Sequence, residues 1–292
     1  MEAFHSFWSE PNRGRNNGVI RFPDYEQLTS VLSALKWQQF NGRVRMITDT
    51  LGAENFKMLG IDKFWNKIDV TLDELEGNID PFLFWAAGKL YALKSMPVPC
   101  AMIDTDLVIW KNVDKYIAGS DIAAAHSEDL RENVYPDKSI FKLKPGYSFP
   151  AEWDFTLKAA NTAFLYIKNS DFRDYYVDSA IEFFKNVEVD GLNPVTAMCF
   201  AEQRVLPMCA ASKGQSLRFL LELPFADAEG QDVATHIWGF KQVLEQLPEA
   251  RYQFCMRCVR RIAMDFPDKA PLLSECRDLK GYYEDYLKSD IK

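Results

Sequence analysis

The chain has 292 residues, of which 48% are hydrophobic and 14% aromatic, so it is long enough to bury a sizeable core in one large domain or in a domain with a helical appendage. Its formal net charge of -8 and its isoelectric point near 5.1 argue against nucleic acid as a partner, because such binding depends on clustered lysine and arginine.

The N-terminal residues contain neither a basic region nor the long apolar region of a signal peptide, and no later stretch approaches the roughly 20 apolar residues that cross a bilayer. We therefore expect a cytoplasmic chain without a transmembrane segment. Peripheral contact with a membrane surface stays open.

Six cysteines are scattered along the chain without the dense spacing of a disulfide framework, so reduced thiols are expected. Cys255 and Cys258 form a C-x-x-C pair, but no second pair or nearby histidine completes a zinc site, and residues 251–261 have a helical pattern.

Apolar runs of strand length alternate with longer segments of helical period, which predicts an α/β fold with a largely parallel or mixed sheet. The first predicted elements are a strand at 3–8, a helix at 26–40 and a strand at 43–47. The next predicted elements are a short helix at 53–59, an apolar segment at 69–72 and a helix at 81–93 that begins with a proline.

Residues 121–125 are a predicted strand, and the polar segment 127–150 that follows is long enough for a lid or an acceptor-binding loop. The later predicted elements are a strand at 161–167, helices at 171–186 and 194–207, and strands at 217–223 and 235–240 that complete the sheet. We expect one domain over residues 1–245 and a helical extension over 246–292 that packs on it.

Residues 99–110 form the most informative segment, an apolar strand that carries Asp104 and Asp106 at its end. Side chains two positions apart on a strand point the same way, so the two carboxylates can share one hard cation. Asp-x-Asp alone is a weak motif, but ligands of open α/β sheets gather at the carboxyl ends of strands. The chemistry is therefore expected here.

Four further segments of the sequence carry short motifs, and their order along the chain is informative. Residues 88–93 end a helix just before the Asp104 strand. Asn161 begins an Asn-Thr-Ala strand, Glu202 begins a Glu-Gln-x-x-Leu helix, and His236 begins a His-x-x-Gly-x-Lys segment that ends at Lys241.

Together these segments resemble the glycosyltransferases of the GT-A fold, particularly the family 8 and family 32-like groups, over about residues 1–245. The chain departs from their pattern at Ala163, where glycine is usual, at Glu202, where aspartate is usual, and at Gln242, where proline is frequent. The resemblance implies a GT-A type nucleotide-diphospho-sugar transferase fold, a Rossmann-like mixed sheet flanked by helices, here with a helical C-terminal tail.

The resemblance also implies a metal-dependent transferase that moves a hexose from a nucleotide-diphosphate sugar, with UDP as the expected nucleotide, to a glycan, lipid-linked or protein acceptor. A retaining outcome is implied as well. Asp104, Asp106 and His236 would bind the metal, with Asp104 also reaching the donor, and Lys241 would lie along the phosphates. Mixed imidazole and carboxylate ligation favours Mn²⁺ over Mg²⁺.

Other candidate residues are assigned by position. Asn161 would hydrogen-bond the donor or acceptor, and Glu202 would orient one of them. Asp154, beside Trp153, would hydrogen-bond acceptor hydroxyls or act as the base of an inverting enzyme. The remaining donor-side candidates are His5 and Trp8 at the border of a nucleotide pocket, Asp49 near the base or ribose, Lys89 in the donor-side helix and Gly239 in the His236 segment.

Two alternatives stay open. Asp104 and Asp106 also fit the opening motif of haloacid-dehalogenase-type phosphohydrolases, in which they would be nucleophile and general acid/base, although about a hundred residues precede the motif here. A GT-A-like protein that binds a sugar or nucleotide without turnover is the second alternative. A Rossmann dehydrogenase is disfavoured, because no G-x-G-x-x-G follows the first strand.

Overall fold

The computed structural model describes residues 1–75, 79–222, 224–225 and 232–289. The strands are β1 (Glu2–Phe7), β2 (Val44–Thr48), β3 (Lys67–Val70), β4 (Cys100–Ile103), β5 (Leu107–Ile109), β6 (Ile122–Glu128), β7 (Ala159–Ile167), β8 (Leu217–Phe219) and β9 (Ala234–His236).

The α-helices are α1 (Ser9–Arg15), α2 (Asp24–Phe40), α3 (Thr50–Leu59), α4 (Ala87–Ser95), α5 (Asp114–Ile117), α6 (Ser170–Asn186), α7 (Pro194–Cys199), α8 (Val205–Ser212), α9 (Lys241–Gln246), α10 (Pro248–Asp265) and α11 (Lys280–Ser289). A π-helical turn, Phe200–Arg204, joins α7 to α8, and a 3₁₀ turn, Trp238–Phe240, precedes α9. Further 3₁₀ turns span Asp62–Phe64, Lys138–Ile140 and Ala270–Glu275.

Seven strands form one mixed sheet in the order β3-β2-β1-β4-β7-β6-β8, and β5 pairs with β9 in a small separate sheet. In the large sheet β7 runs antiparallel to both of its neighbours, whereas the other pairs are parallel. The predicted fold class, a mixed sheet flanked by helices with a helical C-terminal tail, is confirmed.

The large sheet separates two apolar cores, as the alternation of side chains along a strand requires. Ala3 belongs to the core that contains α2 and α10, and its neighbour Phe4 belongs to the core that contains α4 and α6. Ala101 and Met102 divide in the same way on β4. Both faces of the central strands are therefore buried, which explains their nearly continuous apolar sequence.

Two elements predicted in the first half of the chain differ from the structure. The apolar strand at 99–110 is interrupted, because Asp104–Asp106 form a turn in which the Leu107 N–H donates to the Asp104 carbonyl at 3.0 Å. The helix predicted from Pro81 begins at Ala87 instead. Before it, the Asp80 carboxylate accepts from the backbone N–H groups of Phe82 and Leu83, so this segment forms turns.

The final strands also differ from the prediction. β8 ends at Phe219, and Leu223 of the predicted strand lies outside the described residues. The strand predicted at 235–240 does not complete the large sheet, because β9 pairs with β5 and the chain then turns into Trp238–Phe240. The helical C-terminal tail is observed, and Cys255 and Cys258 are buried on α10 as free thiols.

Among the residues that the structure describes, no helix combines the length and apolar character needed to cross a bilayer.

A buried lysine connects the C-terminal helices to α2. The Lys36 side chain is 3% exposed, and its ammonium contacts the Asp265 carboxylate of α10 and donates to Gln39 Oε1 at 2.9 Å. The rings of Phe40, Trp110 and Phe266 lie 5.2–5.7 Å from the ammonium. Asp265 thus supplies the carboxylate that compensates a buried charge.

We expect Asp265→Ala to lower the free energy of unfolding by about 2 kcal/mol, because it leaves the Lys36 ammonium buried without a carboxylate, and the aromatic rings offset only part of the loss. Urea unfolding measures the change. Asp268→Ala, three residues further on at an exposed position, is the matched control and should change stability by less than about 0.5 kcal/mol. Equal effects of the two substitutions would contradict this reading.

Candidate functional site

Asp104 and Asp106 lie in the turn between β4 and β5, at the carboxyl end of a central strand. The Asp104 N–H donates to the Ala163 carbonyl of β7 at 2.8 Å, which ties the turn to the sheet. Asp106 is buried, whereas the Asp104 side chain is 23% exposed. The two carboxylates therefore lie at one edge of the sheet, at the strand end where the sequence predicts the functional site.

The pairing of β5 with β9 brings His236 to this turn. Leu107 lies opposite His236, and the Ile237 N–H donates to the Asp106 carbonyl at 3.2 Å. His236 Nε2 lies 3.2 Å from Asp106 Oδ1 and 4.0 Å from Asp104 Oδ2. One potential ligand atom from each of Asp104, Asp106 and His236 lies within 4.8 Å of the others.

Two lysines contact the carboxylate oxygens of Asp104 and Asp106 that do not face His236. Lys89 Nζ lies 2.6 Å from Asp104 Oδ1 and 2.5 Å from Glu202 Oε1. Lys241 Nζ lies 3.0 Å from both Asp106 Oδ2 and Glu26 Oε1. Each aspartate therefore contacts a lysine with one oxygen and approaches His236 with the other.

These contacts stabilise the charged forms of buried side chains against the effect of burial on their pKa. Burial alone would raise the pKa of Asp106, but His236 and Lys241 hold it far below its usual range. Burial would lower the pKa of Lys89 and of Lys241, yet the neighbouring carboxylates raise both. Burial also opposes the charge on His236, whose pKa the carboxylates of Asp106 and Asp104 nevertheless raise. At neutral pH Asp106 is therefore ionised and has no proton to donate.

The donor set fits a divalent cation. Two carboxylates and an imidazole are common ligands of transition-metal ions, and their free atoms converge. The four carboxylates of Glu26, Asp104, Asp106 and Glu202 face two lysines, which leaves two negative charges when His236 is neutral. One divalent ion would balance that charge.

Glu202 lies in the π-helical turn and is almost fully buried. Its Oε1 accepts from Thr162 Oγ1 at 2.5 Å, and its backbone carbonyl accepts from the Tyr176 hydroxyl at 2.7 Å. A π-helical turn inside an α-helix frequently occurs at a functional site. Here the turn places a carboxylate against Lys89.

A second polar group lies at the adjacent ends of β6 and β7. Glu128 Oε1 accepts from Asn161 Nδ2, and Glu128 Oε2 accepts from the Tyr135 hydroxyl, both at 2.8 Å. The Tyr135 hydroxyl also contacts Gln203 Oε1. The Ala163 N–H donates to Asn161 Oδ1 at 3.0 Å, which connects this group to the Asp104 turn. The sequence indicated Asn161 but not Glu128 or Glu26, which no local motif marks.

A cleft of about 300 Å³ lies near the carboxyl ends of β1 and β2, and Trp8, Asp49, Leu72 and Asp73 are among its lining residues. A Cβ atom at Gly88 would stand 2.5 Å from the Cβ of Trp8, so the absence of a side chain lets α4 pack directly against the cleft wall. Lys89, the next residue of α4, contacts the Asp104 carboxylate.

Other predicted site residues have structural partners of their own. Asp49 is buried, and its carboxylate accepts from the N–H groups of Ser9 and Gly52, both at 2.7 Å. His5 is fully buried rather than exposed at the wall of a cleft, with both ring nitrogens in hydrogen bonds.

On the predicted acceptor side, the Asp154 carboxylate accepts from the N–H and hydroxyl of Thr156, and those bonds lower its pKa. Trp153, the neighbour of Asp154, is buried and stacks beside Phe149. Gly239 is exposed at the 3₁₀ turn, and a Cβ atom there would meet no atom within 4 Å.

Residues 1–270 match the model of a protein family of unknown function, DUF6734. The chain belongs to this family. No curated protein sequence matches it significantly. Family 8 or family 32-like membership, which the motifs imply, is not confirmed by the family match.

Solved glycosyltransferase structures show a weak likeness to this DUF6734 member. The apo form of GlyE from Streptococcus pneumoniae TIGR4 is 10% identical over 74% of this chain and 44% of its own, with a TM-score of 0.38. Mouse xyloside xylosyltransferase 1 is 9% identical over 75% and 85%, with a TM-score of 0.36. The galactosyltransferase LgtC, in complex with donor and acceptor sugar analogs, is 11% identical over 70% and 71%, with a TM-score of 0.36.

The match covers 44% of the apo GlyE chain and 54% of the chain in a second GlyE structure, so this chain spans about half the length of GlyE. Likenesses at this level of identity and superposition carry no inference about activity. The chemistry of this family member must be inferred from its own residues.

We expect Lys89→Met to lower the free energy of unfolding by about 3 kcal/mol, because it leaves Glu202 as a buried carboxylate without its cation. The double variant Lys89→Met/Glu202→Gln should recover a large part of that loss, since no buried charge is then left unpaired. Urea unfolding of both variants measures the coupling.

Lys111→Met is the matched control, because Lys111 pairs with Asp232 at the surface and the two side chains are 45% and 66% exposed. It should change stability by less than about 1 kcal/mol. A Lys89→Met protein as stable as the wild type would show that Glu202 does not depend on Lys89.

Proposed function

We propose that the protein is a metal-dependent glycosyltransferase that moves a hexose from a nucleotide-diphosphate sugar, with UDP as the nucleotide, to a glycan, lipid-linked or protein acceptor. The observation that carries the proposal is the convergence of Asp104, Asp106 and His236 between two lysines at the end of a central strand. A core needs no such excess of buried negative charge for its stability.

In this proposal Asp104, Asp106 and His236 would hold the divalent ion, and Mn²⁺ would suit the imidazole better than Mg²⁺ does. A bound ion would supply Lewis-acid stabilisation of the diphosphate leaving group. His236 and Lys241 keep Asp106 ionised, and Lys89 orients Asp104 through their contact. Lys241 also places a positive charge where negative charge develops on the phosphates.

The cleft beside Gly88 and Lys89 is the proposed nucleotide pocket, with Trp8 supplying an apolar wall. Asp49 acts there by holding the N-termini of α1 and α3 together through its two backbone hydrogen bonds. The acceptor is proposed to approach from the side of Asn161 and Glu202, which border the Asp104 turn.

The stereochemical outcome is part of the proposal. The motif resemblance supports retention, and Asp154 would be the base only in an inverting enzyme. We also propose that the enzyme works in the cytoplasm, because its six cysteines lie apart as free thiols.

The phosphohydrolase alternative finds no support in the described residues. Its second aspartate must donate a proton, but Asp106 is held ionised by His236 and Lys241. The lysine that contacts Asp104 is Lys89, which precedes the motif, whereas that family uses a later lysine. Binding without turnover remains an outcome of the first experiment below.

Thermal unfolding with a panel of nucleotide sugars, in Mn²⁺ or in EDTA, tests the donor site. A ligand at about 100 times its dissociation constant should stabilise the fold by roughly 2.7 kcal/mol, which raises the melting temperature by several degrees. The shift should require both Mn²⁺ and one nucleotide sugar. It should vanish in Asp106→Asn and persist in Asp178→Asn, an exposed aspartate of α6 that pairs with Lys94.

Release of free nucleotide from the same donor then separates transfer or hydrolysis from binding alone. A shift without nucleotide release, with any acceptor offered, would favour the noncatalytic reading. No shift with any nucleotide sugar, together with hydrolysis of an aryl phosphate, would replace the proposal by the phosphohydrolase.

His236→Gln tests the metal preference. Loss of the imidazole should weaken Mn²⁺ binding about tenfold or more, and should weaken Mg²⁺ binding less, because Mg²⁺ gains little from a nitrogen ligand. Electron paramagnetic resonance of free Mn²⁺, with Mg²⁺ as competitor, measures both affinities. No loss of affinity for either ion would remove His236 from the ligand set, and equal losses for the two ions would contradict the preference for Mn²⁺.

A further inference from the structure

A chain of buried hydrogen bonds ends one residue after Asp106. Trp65 Nε1–H donates to His5 Nδ1 at 3.0 Å, His5 Nε2 lies 3.1 Å from Ser33 Oγ, and Ser33 Oγ–H donates to the Leu107 carbonyl at 2.5 Å. None of these four residues is more than 6% exposed. The chain connects β1, α2 and β5.

The direction of every proton in this chain follows from its first donor. An indole N–H can only donate, so His5 Nδ1 must accept, and the proton of the neutral imidazole lies on Nε2. Nε2–H then donates to Ser33 Oγ, whose own proton goes to the Leu107 carbonyl. Burial lowers the pKa of His5 to about 3, so the ring stays neutral.

The Leu107 carbonyl needs this partner because of the register of β5. Ile237 N–H donates to the Asp106 carbonyl and Trp110 N–H to the Val233 carbonyl, so alternate residues from Asp106 onward bond to β9. Leu107 lies between them, and its carbonyl faces the opposite edge. In the described two-stranded sheet α2, not another strand, covers that edge, and Ser33 is the residue of α2 that reaches it.

We propose that Trp65, His5 and Ser33 are positioning residues for the carboxylate cluster, because they fix the peptide that follows Asp106. The turn is then held at the Asp104 N–H by Ala163, at the Asp106 carbonyl by Ile237 and at the Leu107 carbonyl by Ser33. With these three anchors, Asp106 Oδ1 points to His236 and Oδ2 to Lys241. The inference rests on the metal-binding part of the proposed function.

Ser33→Ala removes the central link with little change in volume. We expect it to weaken Mn²⁺ binding about tenfold or more, as loss of a group that orients a metal ligand does. It should also shift the imidazole ¹⁵N resonances of His236 in the metal-free protein. Ser30→Ala is the matched control, because Ser30 is a buried serine of the same helix whose hydroxyl bonds only to the Gln27 carbonyl within α2. It should change neither quantity.

Thermal unfolding of both metal-free variants shows whether they fold. If Ser33→Ala does not, Trp65→Phe breaks only the first link, and a smaller change in the same direction is expected. Equal Mn²⁺ affinities and equal His236 resonances in the Ser33 and Ser30 variants would overturn the inference. A wild-type protein without saturable Mn²⁺ binding would instead defeat the proposed function, and the His236 resonances would then decide the inference alone.

The tautomer of His5 is a separate test. The ¹⁵N spectrum of the metal-free wild-type protein at pH 7 should show His5 as the neutral Nε2–H tautomer. The opposite tautomer, or a charged ring, would break the chain at its first step and overturn the inference.

Discussion

The buried carboxylate of Asp106 is the group around which the site is arranged. An ionised carboxylate inside a protein is tolerated only when charges and hydrogen bonds compensate it. The compensation comes from one short segment, since His236 precedes the Trp238–Phe240 turn and Lys241 follows it, and both reach the same side chain. The contacts of Asp106 with His236 and Lys241 therefore connect the β4–β5 turn to β9 and to the start of α9.

The second aspartate connects the other half of the molecule to the same point. Lys89 belongs to α4 and Glu202 to the π-helical turn, which lie with the core on one face of the large sheet. Glu26, which shares Lys241 with Asp106, lies on α2 with the core on the opposite face. The cluster thus forms where the two faces meet at the carboxyl end of β4. Its geometry therefore depends on both cores. The Asp104–Asp106 turn supplies two of the four carboxylates, and Glu202 and Glu26 reach it from opposite faces of the sheet.

The charge of this cluster also limits what it can bind. With two lysines against four carboxylates, it repels a free anion and attracts a cation. In the proposed function a nucleoside diphosphate binds such a site only together with a metal ion, and the cleft lined by Trp8 and Asp49 is the proposed nucleoside pocket. In the proposed function the negative charge of the cluster therefore makes binding of a diphosphate donor depend on the metal ion.

The α/β class could be predicted from the sequence, since strand-length apolar runs and the long helical period of α2 are local patterns. The sequence also indicated Asp104, Asp106, His236 and Lys241, because their chemistry and spacing are recognisable along the chain. The break of the apolar run 99–110 at the aspartates became visible in the folded chain alone, as no glycine or proline marks that turn. The folded chain also makes Glu26 a partner of Lys241 and places His5 in the core. Those relations join residues far apart in sequence, and they depend on distance in space, which no local pattern encodes.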